Sequence, residues 1–291
     1  MLHRNVVHNG RLLPIEQVRL SPGQAGLLNG WGLFTTLRVV ERVPFAFERH
    51  WKRLQKDAAR VHSPLPFDGE TVRGQLAEVI QANQVREGTA RIYAVFNRIG
   101  VWHSDESFPE VDLILYTADL PKYREPVRLA LRAHGRHAAS PLAGVKTTAW
   151  LNNVWHLYEA QREGWDEVVL LNERGEVSEC TAANIFCAKG GQVWTPPLSA
   201  GCLEGVTRAV VMEAGSEAGI AISERTLVPG DLYSADEMFI SSTNRSVLAV
   251  GEIQGHKMPA APGPITQQLE KIMAAQIRDY CARHAPAASR R

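Results

Sequence analysis

A lysine in the segment Ala143-Gly144-Val145-Lys146 has surroundings that suit covalent chemistry. The residues before it are small and apolar, and the helical pattern WLNNVWHLYEAQREG follows shortly after it, so Lys146 is expected in a loop that leads into a helix. Partial burial in such a setting lowers the pKa of a lysine and makes its amine available for Schiff-base formation. Taken alone the signal is weak, because a single lysine is most often a solvated surface group.

A carboxylate lies in a segment with the composition of a strand. Glu179 stands among the small and apolar residues of the run VSECTAAN. A carboxylate buried there needs a cation, and a protonated pyridine nitrogen is one candidate. The alternative interpretation is a strand residue that faces solvent.

Two further segments could bind a phosphate. In the run LEGVTR, Gly205 precedes a predicted helix, and the backbone N–H groups of a helix start together with a threonine hydroxyl form an anion site. Arg53 lies three residues after His50 on an amphipathic helix and could offer a forked guanidinium to the same phosphate. The alternatives are an ordinary glycine-led helix start and a solvated arginine on the flank of a helix.

Together these four segments resemble the class IV aminotransferases, the fold-type IV enzymes that use pyridoxal 5′-phosphate (PLP). That family includes branched-chain aminotransferase, D-amino acid aminotransferase and aminodeoxychorismate lyase. The resemblance runs from about Arg11 to Gln276, and its most specific part is the ordered series of Lys146, GWDEVVLLNERGEVSECTAANIF, TP and LEGVTR. The 33-residue step from Lys146 to Glu179 fits the family, as does FAFERHWKRL. The run ISSTN resembles a late serine/threonine segment of the family that also reaches the phosphate.

The resemblance implies a role for each candidate residue. Lys146 would form the Schiff base with PLP and move the proton at the substrate carbon. Glu179 would pair with the pyridine nitrogen and keep it protonated, so that the ring withdraws electrons. The phosphate would be held by Arg53, by the backbone N–H groups of Val206 and Thr207, and by the hydroxyls of Thr207 and Thr243. His50 is expected to pack the helix rather than to act in catalysis. The family is dimeric, which implies a homodimer with its active site near the subunit interface.

Three details favour one branch of the family. Leu151 stands where branched-chain aminotransferases carry a tyrosine, five residues after the lysine. The runs FTTLRV, PLAGVK and ECTAANIF resemble aminodeoxychorismate lyase, and the hydroxyl of Thr36 could donate or relay a proton during elimination. The resemblance therefore implies a 4-amino-4-deoxychorismate lyase that releases pyruvate and 4-aminobenzoate, an activity of folate biosynthesis.

Two alternatives stay open. Gly30-Trp31-Gly32 has a tryptophan where the family commonly has an acid, and Asn97–Trp102 departs from the usual arginine-glycine turn. Both segments border the expected substrate space, so an amino acid aminotransferase of the D-amino acid or branched-chain type is the second candidate. A PLP-binding protein without turnover is the third, and the presence of both Lys146 and Glu179 argues against it.

The helices and strands that must position these residues can be predicted from the sequence pattern, which indicates an α+β chain in two parts. Hairpins are expected around Asn9-Gly10 and in LFTTLRVVERVPFAF, and helices over about 47–61 and 69–82. The proline-containing run DLPKYREP, residues 119–126, predicts an interdomain connection between an N-terminal domain over 1–118 and a C-terminal PLP-binding domain over 127–291. The second part is predicted to be rich in antiparallel strands, and no GxGxxG or P-loop motif is present. The resemblance implies a fold-type IV arrangement, with a smaller N-terminal α/β domain and a larger C-terminal pseudo-barrel.

Composition narrows the classes of partner. The formal net charge is +1, so no global field favours nucleic acid or anionic lipid, and any anion must be held by a local site. No apolar run is long enough for a signal peptide or a membrane span, which predicts a cytoplasmic protein with no membrane partner. The four cysteines lack CxxC spacing and are predicted to be reduced thiols; no metal site is expected. The expected partner is a small amino-substituted substrate.

Overall fold

Contacts within the chain divide it into two units. The structure is a computed structural model that describes residues 1–99, 102–103 and 108–285. The first unit comprises Met1–Pro121, Val145–Ala149 and the described part of Ile277–Arg291, and the second comprises Lys122–Gly144 and Trp150–Gln276. The predicted domain boundaries at 118 and 126 stay a prediction, because a grouping by contacts does not locate domains that fold independently.

The first unit is built on a six-stranded antiparallel sheet. Its strands and a separate two-stranded ribbon are β1 (Leu2–His8), β2 (Arg11–Pro14), β3 (Gly32–Val40), β4 (Val43–Pro44), β5 (Glu87–Phe96), β6 (Arg98–Ile99), β7 (Trp102–His103) and β8 (Val111–Ala118). The sheet order is β2-β1-β8-β5-β3-β4, and β6 pairs with β7. Asn9 and Gly10 have φ of 49° and 79°, the left-handed pair that a tight hairpin needs, so the first predicted hairpin is confirmed.

The helices of this part of the chain are α1 (Ala25–Leu28), α2 (Phe47–Arg60) and α3 (Gly69–Ala82). Helices α2 and α3 cover one face of the six-stranded sheet. The Asp68 carboxylate accepts a hydrogen bond from the backbone N–H of Thr71 at 2.9 Å, which explains why α3 begins where it does. The helices and the sheet bury one apolar cluster that includes Leu37, Leu54 and Leu76. The helices predicted over 47–61 and 69–82 are confirmed to within one residue.

The second unit contains a nine-stranded sheet. Its strands are β9 (Val127–Arg132), β10 (Glu167–Leu171), β11 (Val177–Cys180), β12 (Asn184–Lys189), β13 (Gln192–Thr195), β14 (Ala221–Glu224), β15 (Glu237–Ser242), β16 (Ser246–Ile253) and β17 (His256–Lys257). The order is β11-β10-β9-β16-β15-β12-β13-β14, with β17 on β16. Most pairs are antiparallel, whereas β9 with β10, β9 with β16 and β13 with β14 run parallel. The prediction of an α+β chain with an antiparallel-rich second part is confirmed.

The helices that follow are α4 (Leu151–Arg162), α5 (Val206–Glu217), α6 (Pro229–Tyr233) and α7 (Pro264–His284). Single 3₁₀ turns lie at Ile15–Gln17 and Leu198–Ala200. The buried carboxylate of Glu237 accepts hydrogen bonds from the N–H groups of Ile265 and Thr266, at 3.1 and 2.8 Å, and so caps the start of α7. This cap joins α7 to β15.

Several sequence predictions have a direct outcome. All four cysteines are free and buried, as expected for reduced thiols. None of the described helices is long and apolar enough to cross a membrane. The short helices α1 and α6 were not predicted, since four or five residues carry too little periodicity to be recognised. Gly100 and Val101, within the predicted substrate-side segment Asn97–Trp102, lie outside the described residues.

Candidate active site

Strand β3 carries candidate residues on both of its faces. Successive side chains of a strand point to opposite sides. Thr35 therefore shares the core face with Leu33 and Leu37, whereas Thr36 shares the other face with Phe34. In the antiparallel register, Thr36 is opposite Arg91 of β5.

On the core face, Thr35 links Arg53 to His50. The Arg53 guanidinium donates from Nη2 to Thr35 Oγ1 at 2.9 Å, and Thr35 Oγ1 lies 2.8 Å from His50 Nδ1. The Thr35 hydroxyl can accept from the arginine and still either donate to or accept from His50 Nδ1, according to the tautomer of the ring. Burial, with the nearby charges of Arg53 and Lys146, holds the pKa of His50 well below its ordinary value, so the ring is neutral. Arg53 is only 8% exposed, which excludes the interpretation as a solvated arginine on the helix flank.

Lys146 lies in a half-buried loop that is fixed to β3 through its main chain. Its carbonyl accepts from the Phe34 N–H at 3.1 Å, and Thr147 forms a bridge with Leu33. The Lys146 N–H donates to Asp57 Oδ2 on α2 at 3.2 Å. The structure thus places the lysine in a loop shortly before α4, as predicted, and attaches that loop to a sheet and a helix of the same unit.

The side chain of Lys146 extends over the outer face of β3. Its Nζ lies 4.4 Å from the centroid of the Phe34 ring. Phe34 stacks on Tyr93 at 5.1 Å, and Tyr93 stacks on Tyr116 at 5.7 Å. Arg91 donates to the hydroxyls of Tyr93 and Tyr116 at 3.4 and 3.3 Å. The amine, the Thr36 strand face and a guanidinium are therefore gathered on one aromatic face.

The charge state of this face follows from its burial. Desolvation raises the pKa of Tyr116 to about 12, so its phenol stays protonated at neutral pH. The Arg91 guanidinium is therefore a cation on the aromatic face, and its Tyr116 partner is neutral.

Asp57 is a buried acid that the sequence did not single out. Burial raises its pKa, while the Lys146 N–H and the Arg53 charge act in the opposite direction. It lies one helical turn after Arg53, so a single stretch of α2 positions both side chains. No local motif marks this aspartate, because its partner is a backbone group 89 residues away.

In the second unit, Glu179 is buried and doubly hydrogen-bonded. It is 8% exposed, so it is not a strand residue facing solvent. Its Oε1 accepts from Arg136 Nε at 2.9 Å, and its Oε2 accepts from the Leu203 N–H at 3.1 Å. The sequence predicted the need for a cation but not Arg136, which lies in a loop 43 residues earlier.

The start of α5 is connected to Glu179 through short contacts. Asn184 on β12 donates from Nδ2 to the Leu203 carbonyl at 3.0 Å. Gly205 is the N-cap of α5, with no side-chain hydrogen bond to the first turn. A Cβ added to Gly205 would lie 2.1 Å from Asn184 Oδ1, so a larger residue at this position would force the Asn184 side chain to move. Val206 and Thr207 follow in the first turn, and both are buried.

The turn that carries Thr243 adjoins the same region. Asn184 and Ser241 are opposite each other in the register of β12 and β15. Thr243 follows in the turn between β15 and β16, and the Ser241 hydroxyl is buried with no hydrogen-bond partner among the described residues. Asn184 thus contacts Gly205 directly and pairs with the strand that precedes the Thr243 turn.

A buried ion pair holds this turn. Arg245 Nη2 donates to Glu167 Oε2 at 2.8 Å, and Arg245 Nη1 donates to the Ala182 carbonyl at 2.9 Å. The second oxygen of Glu167 accepts a short hydrogen bond from the Thr181 hydroxyl. All polar atoms of the carboxylate are therefore used within the unit, and Arg245 fixes the end of the turn in which Thr243 lies.

The predicted site residues thus fall into two groups. Lys146, Arg53 and Thr36 surround β3 in the first unit, with Lys146 and Thr36 on one side of the strand and Arg53 reaching the other. Glu179, Val206, Thr207 and Thr243 lie around Asn184 and Leu203 in the second unit.

Comparison with known proteins identifies the family. A sequence-family profile described as "Amino-transferase class IV" matches residues 32–253. The D-alanine aminotransferase of Bacillus licheniformis is 27% identical over 280 residues, covering 96% of this chain and 99% of that protein. A putative branched-chain-amino-acid aminotransferase of Methanocaldococcus jannaschii is 30% identical over 267 residues, covering 90% and 93%. The aminodeoxychorismate lyase of Bacillus subtilis is 25% identical over 283 residues, covering 93% and 94%.

Solved structures agree on the fold. The branched-chain aminotransferase of Thermoproteus uzoniensis with norvaline has a TM-score of 0.85 and 28% identity, and the match covers 97% of this chain and 96% of that one. The T.th. branched-chain amino acid aminotransferase with pyridoxamine 5′-phosphate has a TM-score of 0.86 and 24% identity, over 96% and 97% of the two chains. The expected fold-type IV arrangement is confirmed, and the chain belongs to the class IV aminotransferases, a family of PLP-dependent aminotransferases and lyases.

Proposed function

We propose that this enzyme binds PLP on Lys146 and acts as a 4-amino-4-deoxychorismate lyase, releasing pyruvate and 4-aminobenzoate. The observation that carries the proposal is the aromatic face of the first unit. The Lys146 amine lies over Phe34, on the side of β3 that also bears Thr36. An amine for proton transfer and a hydroxyl for the leaving group are what an elimination needs.

Features of the second unit support a phosphorylated cofactor. Gly205 leaves the first turn of α5 without a side-chain cap, and a Cβ there would collide with Asn184. The nearby Ser241 hydroxyl is buried and has no hydrogen-bond partner among the described residues, as expected of a donor kept for a ligand. These residues suit a phosphate, with the N–H groups of Val206 and Thr207 and the hydroxyls of Thr207 and Thr243 as donors, and with Arg53 as the proposed guanidinium.

Each residue then has one task. PLP, when bound, supplies an electron-withdrawing ring that stabilises negative charge at the substrate carbon. Lys146 Nζ removes the proton at that carbon, which carries no hydrogen once the ring of 4-aminobenzoate is aromatic. Glu179 holds the ring nitrogen in its protonated form. Thr36 donates a proton to the departing enolpyruvyl oxygen, which avoids the release of an unstable anion.

The negative charge of the proposed substrate is opposite to that of the Arg91 guanidinium on the aromatic face. Aminodeoxychorismate carries two carboxylates, and Arg91 offers a guanidinium whose partners in the protein are the hydroxyl groups of Tyr93 and Tyr116. A charge-assisted hydrogen bond to a carboxylate is roughly twice as strong as one between neutral groups. We propose that Arg91 binds one of the substrate carboxylates.

An amino acid aminotransferase is the second candidate. The D-alanine and branched-chain aminotransferases are 27% and 30% identical to this chain, against 25% for the lyase.

One assay separates the lyase from the aminotransferase. The protein would be mixed with aminodeoxychorismate, and separately with D- and L-amino acids plus 2-oxoglutarate. Formation of 4-aminobenzoate and pyruvate supports the lyase, glutamate formation supports the aminotransferase, and neither product from the holoenzyme indicates a PLP-binding protein without turnover.

We also propose that the chain forms a homodimer. An apolar stripe on α4 supports this. Its residues lie on one side of the helix, and each is about half exposed or more, with Leu151 at 80%. They are Leu151, Val154, Trp155 and Tyr158.

Trp155→Glu would place a charge in the stripe and should shift the species seen by light scattering from dimer to monomer. Gln161→Glu, near the end of the same helix, is the matched control; a dimer unaffected by Trp155→Glu would remove the stripe from the interface.

A further inference from the structure

The contact between Arg136 and Glu179 places a second charge at the proposed cofactor site. Arg136 Nε donates to Glu179 Oε1 at 2.9 Å, and both side chains are largely buried. The Leu203 N–H contacts the other carboxylate oxygen. Each oxygen therefore has one donor from the protein, and each keeps lone-pair capacity for a further donor.

Arg136 is itself held in place. Its Nη1 donates to Asn153 Oδ1 at 3.1 Å, and its backbone N–H donates to the Leu171 carbonyl at 3.1 Å. The preceding residue, Gly135, lies so close to Leu170 that an added Cβ would be 2.6 Å from that side chain. The loop thus packs closely against the Leu170 side chain of β10, and from this loop the Arg136 guanidinium reaches Glu179 on β11.

The positive charge of Arg136 determines how its contact with Glu179 affects the basicity of the carboxylate. A proton shared between a pyridine nitrogen and a carboxylate can rest on either group. A guanidinium bonded to the carboxylate stabilises its anion and makes the carboxylate a weaker base. The proton is then favoured on the ring nitrogen.

Burial moves the pKa of two thiols and one imidazole near this pair away from the neutral range. Burial raises the pKa of Cys202 to about 12 and that of Cys180 well above its ordinary value. Burial, with the charges of Arg136 and Arg132, lowers the pKa of His156 on α4. Glu167 and Arg245 form their own buried ion pair. The Arg136–Glu179 contact is the charged contact that can set the basicity of the carboxylate.

We propose that Arg136 is a positioning residue that keeps Glu179 ionised and thereby keeps the ring nitrogen of PLP protonated. This inference rests on the proposed function. It assigns the protonation state of the ring to a pair of residues, in which Glu179 contacts the cofactor and Arg136 acts through Glu179.

The test uses holoenzyme reconstituted with PLP that carries nitrogen-15 in its ring. The nitrogen chemical shift reports whether the ring is protonated, independently of turnover. Arg136→Gln removes the charge and keeps a polar side chain, and Arg136→Lys restores the charge. Arg132→Gln is the matched control, because Arg132 pairs with the half-exposed Glu163 at 2.6 Å rather than with Glu179.

The wild-type and Arg132→Gln proteins should show a protonated ring between about pH 6.5 and 9. In Arg136→Gln, the pH at which the ring loses its proton should fall by about one to two units, the scale of a lost charge-assisted hydrogen bond. Arg136→Lys should recover much of that shift, and Glu179→Gln should give a neutral ring.

A protonated ring in Arg136→Gln over the whole range, identical to wild type, overturns the inference and leaves the proposed function standing. Absence of any protein-bound ring signal in the wild type overturns the proposed function instead. If Arg136→Gln does not fold, Arg136→Met keeps an unbranched apolar side chain without the charge, and an unchanged deprotonation midpoint in that variant overturns the inference equally.

Discussion

At the scale of single residues, two buried titratable side chains of the candidate site each form a specific polar contact. His50 and Glu179 are both buried titratable groups, and each has a polar partner: the Thr35 hydroxyl lies 2.8 Å from His50 Nδ1, and Arg136 pairs with the Glu179 carboxylate. The proposed roles of Lys146 and Arg53 likewise depend on the contacts that these side chains make. Each can be tested by removing a side chain.

Lys146→Ala should lose covalent attachment of the cofactor and essentially all turnover. Borohydride treatment of the wild type in the presence of PLP should fix the cofactor irreversibly to the peptide that contains Lys146, as seen by mass spectrometry. Lys52→Ala, an exposed lysine on α2, is the control and should behave as wild type. Normal turnover by Lys146→Ala contradicts the proposed function.

Arg53→Ala should weaken PLP binding. Loss of a charge-assisted contact costs about 1.5–3 kcal/mol, which corresponds to a roughly 10- to 100-fold rise in Kd. Arg49→Ala on the exposed side of the same helix should leave Kd unchanged. The measurement is PLP titration by fluorescence, and equal affinities for the two variants would remove Arg53 from the phosphate site.

At the scale of elements, the sequence predicted what depends on local chemistry. Asp68 gives α3 its start, and Asn9-Gly10 gives the first hairpin its turn, so both elements were predicted closely. Lys146 and Glu179 were predicted as site residues because the 33-residue step between them resembles the spacing in the family. Asp57 and Arg136 were missed, since their importance comes from partners 89 and 43 residues away. A pattern in the sequence indicates that a carboxylate needs a cation, but only tertiary structure shows which arginine supplies it.

The junction between α5 and β12 gives a test at this scale. Gly205→Ala places a Cβ within 2.1 Å of Asn184 Oδ1, so Asn184 must move and lose its bond to the Leu203 carbonyl. We expect a loss of about 1–3 kcal/mol of stability, together with weaker PLP binding. Gly230→Ala is the control, because a Cβ there meets nothing within 4 Å and φ is not positive. Equal melting temperatures and equal PLP affinities for both variants would show that the close contact is not required.

At the scale of the whole molecule, the four cysteines report on folding. All are buried and free, and burial raises the pKa of Cys187 to about 12 and that of Cys281 to about 11. Thiolates are the reactive form, so the native protein should react with a thiol reagent far more slowly than the unfolded chain. Four thiols should be titrated in denaturant, and few or none at the same reagent concentration without it. Fast reaction of the native protein would contradict the buried placement.

The chain passes from one unit to the other several times, and this affects how chimaeras with homologous proteins can be built. The chain changes unit after Pro121, Gly144, Ala149 and Gln276. The five residues that contain Lys146 are bonded to β3, through Phe34 and Gly32, although 23 residues of the other unit precede them in sequence. A chimaera joined at position 121 would therefore take its lysine loop from one parent and the strand that holds it from the other. Units of this enzyme can be exchanged only by transplanting Val145–Ala149 together with the strand it pairs with.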